Sequence, residues 1–145
     1  MSEYARPIKA LGEVVLRVSN LDTMQEFYEK VVGLELLERS ENMMAFFRIA
    51  PDYEGHTQSL ALFDQSGEAD HRSRHYTGVD PEKSPLHHMA FTISLSDHET
   101  EKERLQNLGL DVETVQHIWQ HYRSLYITDP EGNVVEFVCY DASVR

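Results

Sequence analysis

Aliphatic and charged positions alternate along Glu13-Val14-Val15-Leu16-Arg17-Val18, which predicts a strand closed by the turn-prone Ser19-Asn20. Period-two alternation sends Val14, Leu16 and Val18 to one face and Glu13, Val15 and Arg17 to the other. The period then lengthens. Met24, Phe27, Tyr28, Val31 and Val32 form one helical stripe. Asp22 is the expected cap, Gln25 lies three residues on as in a capping box, and Gly33 ends the helix. Short strands are expected at 34–38, 43–49 and 59–64. The polar stretch 65–85, with Gly67, Gly78, Pro81 and Pro85, keeps neither period and reads as a linker that is either mobile or covers something.

The second half repeats the first at an offset of 75 positions. His88-Met89-Ala90-Phe91-Thr92-Ile93-Ser94 lies under Glu13-Val14-Val15-Leu16-Arg17-Val18-Ser19, Asp97 answers Asp22, and Val135-Glu136-Phe137-Val138 lies under Leu60-Ala61-Leu62-Phe63. A second helix over 97–108 has a thin apolar stripe, chiefly Leu105 and Leu108, so the repeat carries much of its prediction. A strand at 124–128, the turn Asp129-Pro130-Glu131-Gly132-Asn133 and a strand at 134–140 close the chain as a hairpin. The expectation is an α+β chain of two tandem β-α-β-β-β modules, module one at 10–66 and module two at 86–141, joined by a linker at 67–85 within a single domain over 1–145.

Composition narrows the partners. The 145 residues carry 13 Lys and Arg against 25 Asp and Glu, a formal charge of −12, and such a field repels phosphate backbones and anionic lipid. A small molecule is the expected partner, not nucleic acid or a membrane. Cys139, the one cysteine, can form no intramolecular disulfide and is expected on the packed face; together with the lack of an apolar leader in the first residues this points to a reducing cytoplasm.

If the repeat is a pseudo-twofold, equivalent positions face a shared groove lined by the strand faces that the helices do not cover. Glu13 then answers His88, Ala61 answers Glu136, and Glu13, His88 and Glu136 converge with an apolar fourth corner. Two carboxylates and one imidazole suit a divalent ion of the Fe, Mn, Ni or Zn type and leave positions open for substrate or water. His87 is expected on the face opposite His88. The other histidines show no regular ligand spacing, although His117 and His121, near Tyr122 and Tyr126, are within range of the groove as acid or base groups. Tyr126 shares a face with Ser124 and Thr128, and its phenol can donate to an oxygen bound at the metal.

The segments Leu11 to Val18, Phe27-Tyr28, Val32-Gly33-Leu34, Leu86-His87-His88-Met89-Ala90-Phe91 and Tyr126 to Glu136 resemble the vicinal oxygen chelate superfamily, which includes glyoxalase I, extradiol dioxygenases, and fosfomycin and bleomycin resistance proteins. The resemblance spans nearly the whole chain. It implies a partly open, barrel-like mixed sheet around a metal groove, ligand positions at His88 and Glu136, and a homodimer. Where the family commonly carries His or Gln, this chain has Glu13, an anionic ligand that weakens the Lewis acidity of the ion; Glu13 as polar rim of a decayed site is the other reading. Glyoxalase I commonly has a fourth ligand where this chain has Ala61. The implied function is a metal-dependent, extradiol-type ring-cleaving dioxygenase, with Tyr126 and His121 assisting proton transfer. The alternatives are a glyoxalase-like isomerase or lyase working through a metal-bound enediolate, and a metal-free small-molecule-binding protein of the bleomycin-resistance type.

Overall fold

A computed structural model describes residues 7–65 and 77–145. The chain divides into two compact units, Met1–Tyr76 and Thr77–Arg145, each built on a four-stranded mixed sheet. The greater part of the predicted linker lies outside the described residues.

In the first unit, β1 (Glu13–Val18) is followed by α1 (Leu21–Glu26), a π-helical turn (Phe27–Val32), and strands β2 (Glu35–Ser40), β3 (Met44–Pro51) and β4 (Thr57–Asp64). The strand order is β1-β4-β3-β2, with β1 parallel to β4 and the other pairs antiparallel. The helical stripe is buried as its spacing requires: Met24, Phe27, Tyr28 and Val32 pack against the face carrying Leu16, Phe47, Leu60 and Leu62. Two details depart from the sequence reading. Asn20, not Asp22, caps α1; its Oδ1 accepts Thr23 N–H at 3.0 Å, and its carbonyl accepts Met24 N–H at 3.1 Å, so the first turn begins earlier. Asp22 and Gln25 instead accept from Arg39 Nη2 and Nη1, at 2.7 and 2.5 Å. The last turn widens, so that both Gly33 and Leu34 N–H reach the Tyr28 carbonyl, and Gly33, at φ 88°, ends it.

The second unit repeats the order with β5 (Met89–Thr92), α2 (His98–Asn107), β6 (Glu113–His117), β7 (Tyr122–Thr128) and β8 (Val134–Tyr140), arranged β5-β8-β7-β6. The repeat survives in the hydrogen-bonding register. Val14↔Leu60 and Leu16↔Leu62 in the first sheet recur as Met89↔Val135 and Phe91↔Phe137, each displaced by the same 75 positions. Leu105 and His98 are the buried residues of α2. They cover the sheet face formed by Leu125, Ile127, Val135, Phe137 and Cys139. The Cys139 thiol is buried there, as expected, donates weakly to the Arg123 carbonyl at 3.7 Å, and is pushed upward in pKa by burial.

The β7–β8 turn is held from within. Asp129, 4% exposed, accepts the N–H groups of Glu131 and Asn133 at 2.9 Å through Oδ1 and the Asn133 amide at 2.7 Å through Oδ2. Gly132, at φ 96°, supplies the left-handed residue. This turn fixes the register that sets Tyr126 directly opposite Glu136.

Candidate functional site

Alternation places Glu113, Val115 and His117 of β6, Tyr122, Ser124, Tyr126 and Thr128 of β7, and Val134, Glu136 and Val138 of β8 on the sheet face of the second unit that α2 does not cover. Four side chains cluster there. Glu136 is 6% exposed. Its Oε1 accepts the Tyr126 hydroxyl at 2.5 Å, and its Oε2 stands 3.9 Å from His88 Nε2. His117 Nε2 lies 2.8 Å from Tyr126 Oη and 4.0 Å from Glu136 Oε1. Both imidazoles meet the Tyr126 ring edge-to-face, His88 at 6.0 Å and His117 at 6.2 Å between centroids.

Donor arithmetic orders the protons. Tyr126 has one hydroxyl hydrogen and gives it to Glu136, so its oxygen accepts at the 2.8 Å contact and His117 carries a proton on Nε2. The phenol is pushed up in pKa to about 12, first by burial and then by the Glu136 carboxylate. Tyr126 is thus a neutral donor at physiological pH that occupies one carboxylate oxygen and leaves the other facing His88.

His88 lies just before β5, so alternation does not extend to its neighbour. His87, expected on the opposite face, has its Nδ1 2.7 Å from His88 Nδ1. A neutral His88 that donates from Nδ1 to His87 presents the Nε2 lone pair toward Glu136. Two lone pairs facing one another across 3.9 Å are satisfied by a positive charge between them, either a proton on His88 or a metal ion. Metal bonds of about 2.0–2.2 Å to nitrogen and oxygen can span that distance. The pair therefore fits two ligands of a divalent ion, and the His87 contact is the orienting partner that ligating imidazoles commonly have. Among the described residues no group of three or more His, Cys, Asp or Glu side chains is placed to hold an ion by itself.

Glu13 is exposed at the first residue of β1 in the first unit, and Ala61, the repeat partner of Glu136, is buried in β4 opposite Val15. His121 is engaged elsewhere. It occupies the β6–β7 turn at φ 60°, its Nδ1 is 2.7 Å from the Val144 carbonyl, and its ring packs on Tyr140 at 6.0 Å. His117 is the histidine that touches Tyr126. Its signal in the sequence was the parity it shares with Val115 once β6 is delimited.

Residues 10–137 match the Glyoxalase/Bleomycin resistance protein/Dioxygenase superfamily, and the chain belongs to that family. Solved structures agree with this. An integron cassette protein from the mobile metagenome of the Halifax Harbour sewage outfall is 27% identical over 91% of this chain and 99% of its own, with a TM-score of 0.66. Lactoylglutathione lyase from Agrobacterium tumefaciens is 26% identical over 92% of this chain and 96% of its own, with a TM-score of 0.64. A genomically encoded fosfomycin resistance protein from Listeria monocytogenes, complexed with Mn(II) and 1S,2S-dihydroxypropylphosphonic acid, shares the fold at 19% identity over 95% of each chain, with a TM-score of 0.65.

Proposed function

We propose that this chain is a cytoplasmic, metal-dependent dioxygenase that cleaves the ring of small o-diphenols, with Glu13, His88 and Glu136 as the ligands. The observation that carries the reading is the Tyr126 phenol, donated to Glu136 at 2.5 Å and backed by His117 at 2.8 Å, beside the Glu136–His88 pair. A divalent ion of the Fe, Mn, Ni or Zn type held there would supply the Lewis acidity that gathers two vicinal oxygens and, as iron or manganese, the redox capacity that ring cleavage needs. The protein's own groups do the rest. His87 fixes the His88 ring, and Tyr126 restrains Glu136 to one free oxygen. The Tyr126 hydrogen is committed to Glu136, so a substrate oxygen that gains charge receives that hydrogen bond only by displacing Glu136 as its acceptor, while the His117 Nε2–H keeps donating to the phenol oxygen and steadies the charge left there.

A glyoxalase-like lyase or isomerase is the second reading, supported by the 26% identity to lactoylglutathione lyase and opposed by Ala61, whose methyl offers no donor at the fourth ligand position that the resemblance implies. A metal-free binding protein is the third, favoured by the exposure of Glu13.

Metal loading followed by oxygen uptake separates them. Protein reconstituted anaerobically with Fe(II) or Mn(II) is expected to hold about one equivalent, and His88→Ala to hold none. Adding catechol-type diols and air should consume oxygen and yield a ring-opened product. A loaded protein that consumes no oxygen overturns ring cleavage. If it converts the hemithioacetal of methylglyoxal and glutathione, the lyase reading replaces it; diol binding that chelators do not affect, with no metal uptake, establishes the binding protein.

A further inference from the structure

Helix α2 is seated on its sheet by two side chains. Of its ten residues only His98 and Leu105 are buried, about two turns apart on one stripe. Leu105 is fully buried and apolar. His98 is 5% exposed, and its Nε2 is buried with no hydrogen-bond partner among the described residues. One of the two contacts is therefore an imidazole that fits its place only while neutral.

A proton added to this ring is unfavourable as long as the helix stays seated. An imidazolium carries N–H on both nitrogens, and Nε2 has no acceptor there. His98 is also the first residue of α2, where the free N–H groups of the helix disfavour positive charge. From the sheet side, Arg123 of β7 adds a second positive charge and Asp141, just beyond β8, a negative one; from the helix itself, Lys102 opposes the proton and Glu99 favours it. Asp141 is already engaged. Its Oδ2 accepts Arg123 Nε at 2.6 Å, and its Oδ1 accepts the Ser143 N–H at 2.9 Å and the Ser143 hydroxyl at 2.7 Å.

We infer that α2 is an acid-released flap: protonation of His98 unseats the helix while the strands beneath it stay paired, and uncovers the sheet face that carries Cys139. Along β7 and β8 the residues under the helix, Leu125, Ile127, Val135 and Phe137, alternate with Tyr126 and Glu136. Release therefore removes the packing behind the candidate site. The inference does not depend on the reaction proposed for that site.

Cys139 is the reporter, because it is the chain's one cysteine and is 2% exposed on the covered face. The full chain is labelled with 4,4′-dithiodipyridine from pH 7.5 to 5, and each rate is divided by that of the urea-unfolded chain at the same pH, which cancels the ionisation of the thiol itself. The corrected rate is expected to rise about fivefold to thirtyfold, the upper figure being the limit for one proton of ordinary pKa 6.5 taken up only by the released state. Urea well below the unfolding midpoint should accelerate labelling only weakly, since a released helix exposes little surface. His98→Phe, which keeps an apolar ring at the position, should abolish the acid acceleration, whereas Leu105→Ala should raise the rate at every pH and preserve it. Four results overturn the flap: a corrected rate independent of pH, a rise steeper than about tenfold per pH unit, a urea dependence as steep as that of global unfolding, or an acid acceleration that survives in His98→Phe.

Discussion

Tyr126 sits between two imidazoles and gives its only proton to a buried carboxylate, an arrangement with a direct optical signature. Its pKa of about 12 lies above the ordinary tyrosine value of 10.0, so the folded chain keeps this proton through a range where the unfolded chain loses it. The stability it contributes is present below pH 10 and is lost as the pH rises through about 12. Alkaline titration followed by tyrosinate absorbance should lose one phenol's worth of its late-titrating amplitude in Tyr126→Phe, and an unchanged late amplitude in the variant would assign that step to another residue. Oxygen uptake should fall about a hundredfold or more in the same variant, with metal content retained. At this scale the sequence was a good guide where strand parity holds, since Tyr126 faces Glu136 as alternation demands. It was a poor guide at turns. His121 and His117 looked equivalent on the page, but the left-handed backbone at His121 directs its ring to the C-terminal segment, whereas His117 ends a strand whose parity carries it to Tyr126.

At the scale of elements, the offset of 75 was legible because a strand's apolar parity and its neighbour's register are the same information, and the paired residues Val14↔Leu60 and Met89↔Val135 show this. Helix starts were less legible. Asn20 and Asp22 are both capping residue types, and which one caps depends on backbone that is extended at Asn20, with Arg39 reaching from β2 to engage Asp22. The helix α2 has so few apolar residues that its attachment leans on His98, which is 5% exposed, with a buried Nε2 that makes no hydrogen bond. Burial, and then the nearby Arg123, hold its pKa below 6.5. The unfolded chain therefore takes up this proton first as the pH falls, so the stability His98 contributes is present above about pH 6.5 and is lost as the pH drops through the folded-state value. Denaturant midpoints measured from pH 7.5 to 5 should decline less steeply in His98→Phe than in the unmodified chain. Parallel declines would place the acid sensitivity elsewhere.

For the molecule as a whole, the family and the repeated α+β architecture follow from one sequence, because the motifs that carry them are spread over nearly its full length. The path of the chain between the modules was not legible, since a polar stretch without periodicity specifies no packing. Among the described residues no helix is long and apolar enough to cross a membrane. Light scattering should give twice the 16.8 kDa chain mass if the homodimer that the resemblance implies forms, and a single-chain mass would refute it. The single tryptophan adds a practical consequence. Trp119 is in the β6–β7 turn with 83% of its surface in water, so its indole is already solvated in the native state. Its emission colour therefore changes little when the chain denatures, and melting curves drawn from it would look featureless even for a cooperative transition. A change in its brightness on adding a small molecule would instead report an event at that turn, two residues from His117, which gives the chain a built-in fluorophore for occupancy and not for folding.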